Sequence, residues 1–590
     1  MSVLDRIERL RNVMEQQKID CYIIPTDDYH HSEYVGDYFK FREYITGFTG
    51  SAGTAVFTKD KAGLWTDGRY FIQAEAQLKG SGITLYKSGE SDVPTIEEFL
   101  KSELKEGDVL GFDGRTVTYA QGKRYCHIAD ENGASLKYSL DFAQNIWKER
   151  PEMSMESVFS LADEYTGEKI GSKLEQIREI MKENGCNAHV LSSLDDIAWL
   201  LNIRGNDIAY CPLVLSYAIV YNNSVELFAD IRKFSDDIIN LLAENQVNIY
   251  RKVSEMTSED KLLLDSAIMN YSLYQAISKE TVIIDKQNPE ILMKSVKNET
   301  QAENLRKAHL KDAVAHTKFM YWLKKNIGRV EITELSASAR LEGLRAEQEH
   351  FLGPSFGPIS AYGEHGAIVH YSADEKSNVP LKEGKLFMTD TGGHYLEGST
   401  DITRTVALGE VGNLEKEHFT LVARAMLRLA NTVFLYGCSG ANLDCIAREI
   451  FWKEGLNFNH GTGHGVGYLL NIHEGPINFR WKEGERPAPA LEENMVITDE
   501  PGIYIEGSHG IRLENELLVR KTVKNEYGQF MNFEILTYVP IDLDAILPEK
   551  MSTEEKEMLN HYHKQVYEKV SPYLSEEERI WLKEYTRAVK

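Results

Sequence analysis

Apolar positions near the start of the chain follow first a helical and then an extended period. A stripe at helical spacing precedes an apolar run at residues 21–24 and an acidic turn at Asp27 and Asp28. The stripe consists of Ile7, Leu10, Val13 and Met14. This pattern predicts an amphipathic helix followed by a buried strand and a turn.

The same order of features returns farther along the chain. A second helical stripe precedes an apolar run at residues 188–191 and the acidic pair Asp195 and Asp196. The second stripe consists of Leu174, Ile177, Ile180 and Met181. We therefore predict two copies of one α/β domain in the front half, with a coincidental match of the two patterns as the alternative.

Two polar segments mark the predicted domain boundaries. Residues 149–157 contain a proline and no clear period, and the charged residues 294–303 precede a long helical pattern from Leu305 to Leu323. We predict domains at residues 1–155, 160–296 and 297–590, the last with a helical extension from about residue 548. Apolar residues of that extension, Trp581 among them, fit either a helix pair that closes the last domain or a contact between subunits.

The composition is that of a folded globular protein with an acidic surface. The 590 residues are 42% hydrophobic and 27% charged, and 66 basic against 91 acidic side chains give a net charge of −25. Such a surface repels phosphate backbones and anionic lipid, so we expect neither a nucleic-acid nor a membrane partner. The N-terminal residues lack a signal-peptide core, no apolar stretch has transmembrane length, and six cysteines lie far apart. We therefore expect a cytoplasmic protein with reduced thiols.

Acidic and imidazole side chains beside glycines occur in short stretches of the last third of the chain. These stretches contain Asp390 and Asp401, then His460, His464 and His473, and finally Glu500, Glu514 and Glu516. The two aspartates lie on segments that predict a hairpin-like pair of strands. Strand alternation over residues 511–517 predicts that Arg512, Glu514 and Glu516 share one face.

Carboxylates that face inward require positive partners, because an unpaired charge removed from water costs several kcal/mol. Too few Lys or Arg lie nearby to pair Asp390, Asp401, Glu500 and Glu514 individually. Two divalent ions balance these four charges, with one histidine such as His464 as a further ligand. Oxygen donors with one imidazole suit Mn²⁺, with Co²⁺ or Zn²⁺ as alternatives. Any one of these acids, taken singly, also fits a capped turn or a surface ion pair.

The motifs resemble those of the pita-bread metallopeptidases, in particular the three-domain cytosolic X-prolyl aminopeptidases, also called aminopeptidase P. Their order is D-x₁₀-D, H-G-x-G-H-G-x-G, H-E-G-P, D-E-P-G and R-x-E, which has too many fixed positions to arise by chance. Weaker matches lie at residues 47–54, 65–70, 163–167 and 196–200. The resemblance covers nearly the whole chain and implies an α/β (α+β) fold, with two creatinase-like N-terminal α/β domains before a C-terminal pita-bread catalytic domain.

Carried over position by position, the resemblance implies roles for individual residues. The implied metal ligands are Asp390, Asp401, His464, Glu500 and Glu514, of which Asp401 and Glu514 bridge two ions. The implied catalytic residues are His370, His473 and Glu500. The candidate substrate-binding residues are Arg69, His370, His460, His473, Tyr504 and Arg512. In the family an arginine matching Arg69 reaches the substrate, in one interpretation across a dimer interface, and a structural salt bridge is the alternative for this residue.

The implied activity is release of the N-terminal residue from peptides with proline in the second position. Two metal ions then activate a shared water, Glu500 acts as general base, and His370 and His473 donate hydrogen bonds to the substrate and the oxyanion. By analogy we expect a homodimer. The alternatives are a proline dipeptidase of the same fold, a non-catalytic peptide-binding protein and a two-metal phosphoesterase, although the net charge and the lack of a Gly-rich phosphate loop disfavour the last.

Overall fold

A computed structural model describes residues 1–251, 261–482, 484 and 486–590 of the chain. The chain divides into two units, of which the first comprises Met1–Leu161 and Glu168–Glu290, and the second Ala162–Gly167 and Ile291–Lys590. Every helix in the described part is too short or too polar to span a bilayer. All six cysteines are free thiols.

The N-terminal unit begins with a mixed sheet of six strands. The strands are β1 (Cys21–Pro25), β2 (Thr54–Thr58), β3 (Ala62–Thr66), β4 (Thr84–Lys87), β5 (Val109–Phe112) and β6 (Ser135–Lys137). The helices are α1 (Val3–Gln17), α2 (Phe41–Thr46), α3 (Phe71–Leu78), α4 (Ile96–Glu103), α5 (Tyr119–Glu131) and α6 (Ala143–Ile146). The strand order is β4-β3-β2-β1-β5-β6, with β1 antiparallel to β2 and parallel to β5.

A second set of elements follows. Its strands are β7 (Phe159–Ser160), β8 (Ala188–Leu191), β9 (Ile203–Arg204), β10 (Tyr217–Tyr221), β11 (Val225–Phe228), β12 (Val247–Tyr250), β13 (Lys261–Leu264) and β14 (Val282–Asp285). Its helices are α7 (Asp163–Thr166), α8 (Ile170–Glu183), α9 (Leu194–Leu200), α10 (Asp236–Glu244), α11 (Tyr271–Ala276) and α12 (Pro289–Ser295). The small strands β7 and β9 pair with each other, and α7 belongs to the second unit.

The second large sheet repeats the topology of the first, with the order β12-β11-β10-β8-β13-β14. Strand β8 occupies the place of β1, because it is antiparallel to β10 and parallel to β13. The predicted stripes lie on α1 and α8, where three residues of each are buried and Val13 and Ile180 are half-buried. The predicted duplication of an α/β domain is therefore confirmed.

The C-terminal unit is built of antiparallel sheets and long helices. Its helices are α13 (Glu299–Asn326), α14 (Glu334–Ala346), α15 (Asn413–Ala430), α16 (Gly440–Lys453), α17 (Thr553–Val570) and α18 (Glu576–Tyr585). Its strands are β15 (Phe351–Pro354), β16 (Ile359–Tyr362), β17 (Lys385–Thr391), β18 (Gly393–Tyr395), β19 (Gly398–Ser399), β20 (Ile402–Leu408), β21 (Phe434–Leu435), β22 (Gly463–Val466), β23 (His473–Phe479), β24 (Val496–Asp499), β25 (Gly502–Ile505), β26 (His509–Arg512), β27 (Asn515–Asn525) and β28 (Gly528–Ile535). The predicted long helix is α13, which a capping box at Asn298 begins.

One segment of this unit that was predicted to be a single strand is divided between two sheets. The largest has the order β21-β28-β27-β24-β22-β23, and β16-β17-β20 and β25-β26 form smaller sheets. The segment 511–517 was expected to be one strand with alternating faces. Instead β26 ends at Arg512, the chain leaves that sheet, and β27 begins at Asn515 in another sheet. Residues 511–517 are all buried, so both faces of the segment are covered.

The C-terminal tail packs into the core of its own unit. Leu559, Tyr562, Val566 and Leu582 are buried among the residues of this core. Trp581 is half-buried, and its ring centroid lies 5.9 Å from that of Tyr321 on α13. Of the two explanations for the apolar tail, the helix pair that closes the last domain fits the structure. The four buried residues are not available for a contact between subunits.

A fully buried arginine connects the tail to the central strands. Arg404 on β20 donates hydrogen bonds to the Glu514 carbonyl oxygen, the Asn515 side chain, the Val539 carbonyl oxygen and the Tyr562 hydroxyl. The Tyr562 hydroxyl in turn donates to the Val539 carbonyl oxygen at 2.6 Å. Because buried polar groups without partners are costly, this network fixes α17 against the segment that carries Glu514.

We predict that Tyr562→Phe lowers the free energy of unfolding by about 1–3 kcal/mol, because Arg404 and the Val539 carbonyl each lose a buried partner. Urea denaturation monitored by far-UV circular dichroism measures the change. The matched control is Tyr567→Phe on the same helix, where the side chain is half-buried, and a change within about 0.5 kcal/mol is expected. Equal effects of the two substitutions would contradict the role given to the Tyr562 hydroxyl.

Candidate metal centre and active site

Strand ends from several sheets of the C-terminal unit bring the five expected ligands together. Asp390 lies in β17, and Asp401 comes directly before β20, with which β17 pairs. This arrangement confirms the predicted hairpin-like pair. His464 lies in β22, Glu500 directly follows β24, and Glu514 lies between β26 and β27. Since β24 pairs with both β22 and β27, the latter three residues meet at one end of the largest sheet.

The side chains of this cluster are close enough to share a cation. Single ligand atoms of Asp401, His464 and Glu514 all lie within 4.8 Å of one another. The His464 Nε2 atom is 3.5 Å from Asp401 Oδ2 and 3.7 Å from Glu500 Oε1. The Oδ1 atom of Asp390 is buried and has no hydrogen-bond partner among the described residues. This orphaned oxygen and the neighbouring carboxylates fit divalent cations, which take hard oxygen donors.

The electrostatics of the cluster also favour a cation. Burial raises the pKa of Asp401 well above its usual range, and the charges of Asp390 and Glu500 raise it further. Burial likewise raises the pKa of Glu514, followed by repulsion from Asp401 and Asp390. Burial raises the pKa of Glu500 too, although His464 and Arg512 oppose the shift. A divalent ion reverses these shifts by stabilising the ionised forms.

Polar groups outside the set of five expected ligands hold the candidate ligands in place. The Thr403 hydroxyl donates to Glu514 Oε2 at 2.8 Å, and the Asp401 N–H donates to Glu516 Oε1 at 2.6 Å. The Thr498 hydroxyl accepts the His464 N–H at 3.1 Å. Such second partners orient metal ligands. Thr403 lies two positions after Asp401, and Thr498 lies two positions before Glu500. This proximity to the acidic motifs is the only signal for the two threonines in the sequence.

Helix α13 contributes a buried histidine to the same region. His309 Nε2 lies 3.1 Å from Glu516 Oε2, and both side chains are inaccessible to solvent. Glu516 therefore stands between the backbone of Asp401 and a side chain from α13. Sequence analysis missed His309 because it has no glycine-rich or acidic neighbours that resemble a motif.

The proposed substrate residues of the C-terminal unit form a connected group beside the carboxylates. Arg512 donates to Asp390 Oδ2 and, at 2.8 Å, to the Tyr504 hydroxyl. That hydroxyl is also hydrogen-bonded to His460 Nε2 at 2.8 Å, and burial raises the pKa of Tyr504 to about 12. The hydroxyl thus stays protonated across the physiological range. Tyr504, Arg512 and His460 form a rigid wall that ends at Asp390.

The remaining expected site residues lie in three places. His473 begins β23, and its ring centroid is 4.2 Å from that of His464. His370 is half-buried, and the carbonyl of the preceding residue, Val369, accepts from Arg512 at 3.4 Å. Arg69 belongs to the N-terminal unit, where it pairs with Asp67 through two hydrogen bonds of 2.8 Å. The salt bridge that was the structural alternative for Arg69 is therefore present.

Comparison with protein families matches most of the chain to four descriptions. Residues 303–521 match metallopeptidase family M24, and residues 529–589 match the C-terminal region of peptidase M24. Residues 6–137 and 149–301 each match a creatinase/prolidase N-terminal domain. The expected α/β (α+β) fold class, with two creatinase-like domains before a catalytic domain, is confirmed.

Individual relatives are similar over their full length. Xaa-Pro aminopeptidase 1 of Dictyostelium discoideum is 36% identical over 97% of this chain and 94% of the relative, and aminopeptidase P1 of Arabidopsis thaliana is 34% identical over 99% of each. Among solved structures, X-prolyl aminopeptidase from Caenorhabditis elegans, described as a cytosolic enzyme with a di-nuclear active site, matches with a TM-score of 0.95 and 33% identity over 100% of both chains. The chain therefore belongs to metallopeptidase family M24 and is a hydrolase.

Proposed function

We propose that this protein is a metal-dependent aminopeptidase that releases the N-terminal residue from peptides with proline in the second position. The observation that supports the proposal is the cluster in which ligand atoms of Asp401, His464 and Glu514 lie within 4.8 Å of one another. Glu500 Oε1 lies 3.7 Å from His464 Nε2, and the charge of Asp390 acts on both Asp401 and Glu514. Relatives named Xaa-Pro aminopeptidase and aminopeptidase P are similar over nearly the whole chain. A complete donor set also argues against a non-catalytic peptide-binding protein.

In this proposal Asp390, Asp401, His464, Glu500 and Glu514 would hold two divalent ions. Mn²⁺ is the proposed metal because four carboxylates and one imidazole are mostly hard donors, with Co²⁺ and Zn²⁺ as the alternatives. When bound, such ions act as Lewis acids and make water a better nucleophile at neutral pH.

The residues around the ions supply proton transfer and charge stabilisation. Glu500 accepts a proton at its carboxylate and serves as the general base. His370 and His473 donate hydrogen bonds to the substrate and to the carbonyl oxygen as negative charge develops on it. The free α-amine of the substrate would meet the metal site and the carboxylates around it, and a blocked amine would have no such partner, which accounts for exopeptidase action.

The preference for proline follows if the site needs no N–H group on the nitrogen of the cleaved bond. The nitrogen of an Xaa-Pro bond carries no hydrogen, so a site that accepts no hydrogen bond from it does not penalise this bond. Tyr504, Arg512 and His460 are proposed to form the rim of the proline pocket, where their mutual hydrogen bonds keep the ring of Tyr504 in place.

Four further features belong to the same proposal. The protein acts in the cytoplasm, as the description of the C. elegans neighbour suggests. It forms a homodimer, in which Arg69 contributes to substrate binding, either within its own subunit or across the interface. The proposed domains are residues 1–155, 160–296 and 297–590, and separate family matches over residues 6–137, 149–301 and 303–521 support a division into three parts.

We predict that the Mn²⁺-loaded protein releases the first residue of a tripeptide Xaa-Pro-Yaa and that chelator-treated protein does not. Mass spectrometry of the products measures this directly. A dipeptide Xaa-Pro is the parallel substrate, because a proline dipeptidase needs a group that binds the carboxylate of that product. Cleavage of the dipeptide alone would identify a prolidase, and cleavage of neither peptide by metal-loaded protein would favour a peptide-binding protein.

We predict that Glu514→Gln, which removes one charge at nearly constant volume, lowers metal content by at least one ion per chain and abolishes turnover. The physical reason is that a bridging carboxylate neutralises part of the charge of both ions. Elemental mass spectrometry after dialysis measures the metal. The matched control is the exposed Glu506→Gln, which should retain both ions and full activity. Normal turnover with two ions in Glu514→Gln would refute the ligand assignment.

For His370→Ala we predict a fall in kcat of about 10²–10³-fold with unchanged metal content, which is the usual effect of removing one oxyanion donor. The exposed His561→Ala serves as control and should leave both quantities unchanged. Steady-state kinetics and metal analysis on the same preparations separate the two roles. Loss of metal from His370→Ala would show that this histidine is a ligand instead.

A further inference from the structure

A cavity of about 310 Å³ in the C-terminal unit lies outside the candidate active site. Residues of α13, of the turn after it, of α14 and of α18 line it, and none of the expected ligands or substrate residues is among them. Four cationic side chains contribute to the lining, which are Lys318, Lys325, Arg329 and Arg340. The volume is within the range of small-molecule sites, roughly 300–1,000 Å³.

The cations of this cavity do not neutralise acidic residues of the chain. None of the four forms a salt bridge with any described residue. By contrast Lys324, which directly precedes Lys325, forms ion pairs with Asp542 and Asp544. Lys325, Arg329 and Arg340 are exposed, so water solvates their charges, but the grouping of four cations at one cavity is notable in a chain with a net charge of −25.

Two acidic side chains at the cavity accept hydrogen bonds from other groups of the chain. Glu578 is the one acid in the lining, and its carboxylate accepts the Ser575 N–H at 2.8 Å in the capping box of α18. Glu577 accepts the Tyr321 hydroxyl at 2.9 Å. Four cations and Glu578 leave the lining with an excess of three positive charges, and the Glu577 carboxylate beside Tyr321 offsets one of them. The remaining positive charges repel one another, and a bound anion would relieve this repulsion.

The end of α13 explains only part of this cluster. Cations in the last turn of a helix are favourable because the carbonyl end carries a partial negative charge, and Lys325 and Arg329 are close to that end. Lys318 lies about two turns earlier, and Arg340 belongs to α14. Lys318, Trp322 and Lys325 recur at i, i+4 and i+7, so α13 presents them on one face.

Aromatic rings hold two of the cations at the cavity. Lys325 Nζ lies 5.6 Å from the centroid of the Tyr321 ring, and Arg340 Cζ lies 5.8 Å from that of Trp322. Such contacts leave the charged groups accessible to a ligand while limiting their motion. Guanidinium groups bind phosphate through paired N–H donors, and ammonium groups bind it as point charges.

We propose that this cavity binds a small polyphosphate anion, either inorganic or the phosphate tail of a nucleotide. Lys318, Lys325, Arg329 and Arg340 contact the phosphate oxygens, and the rings of Tyr321 and Trp322 border the ligand. The site is separate from the peptidase site, so the proposal does not rest on the proposed activity.

Isothermal titration calorimetry of the metal-loaded protein with inorganic triphosphate and with ATP tests the proposal. The variant is Lys325→Glu/Arg329→Glu, and we expect both probes to bind at least about tenfold more weakly than to the wild type. The control is Lys105→Glu/Lys524→Glu, which reverses two exposed charges outside the cavity. Binding of phosphate to the catalytic metals would release the same heat in the wild type, the variant and the control. A difference in heat between these three proteins therefore measures binding at the cavity.

The outcomes separate the two sources of phosphate. Equal affinity for triphosphate and ATP indicates recognition of the phosphate groups alone, and tighter binding of ATP that Trp322→Ala removes indicates a nucleotide. Raising the salt from about 50 to about 300 mM should weaken binding in either case, since exposed charges are screened.

Absence of binding to the wild type at millimolar probe, or equal binding to wild type and to the Lys325→Glu/Arg329→Glu variant, would overturn the proposal. Lys325→Gln/Arg329→Gln, with circular dichroism, checks that lost binding is not lost folding.

Discussion

The burial of several carboxylates in one place is the constraint on which the rest of the C-terminal unit depends. Asp390, Asp401 and Glu514 are each less than one-tenth exposed, and mutual repulsion together with burial raises the pKa of the latter two. Arg512 forms an ion pair with Asp390, and its charge also opposes the rise in the pKa of Glu500. A cluster of this kind is unfavourable without added positive charge, so the same charges that oppose folding of the metal-free unit create affinity for cations.

The frame around this cluster resists the repulsion by fixing the backbone. Arg404 joins β20, the carbonyl group of Glu514 and the Tyr562 hydroxyl of α17. Thr403 fixes the Glu514 side chain from the same strand. The C-terminal tail therefore does more than cover apolar surface, because one of its helices completes the network that positions a proposed bridging ligand.

Charge is distributed unevenly between two faces of α13. His309 of this helix lies beside Glu516 in the region that favours cations, and Lys318 and Lys325 of the same helix line the cavity that favours anions. The helix is 28 residues long and mostly buried in its first two thirds, so it has room for both surfaces. The same helix therefore contributes side chains to both regions, and the two regions share none of these side chains.

The sequence by itself determined the duplicated α/β domain and the identity of the candidate ligands. Helical and extended periods are local properties, and the spacing of Asp390, Asp401, His464, Glu500 and Glu514 lies in motifs with many fixed positions. The sequence predicted one continuous strand over residues 511–517 and did not decide the role of the tail. Both questions depend on which sheet or core packs against the segment, and local patterns do not contain that information. Only the tertiary structure decided the contacts of Arg404 with Tyr562 and of His309 with Glu516, because such pairs are far apart along the chain and only packing brings them together.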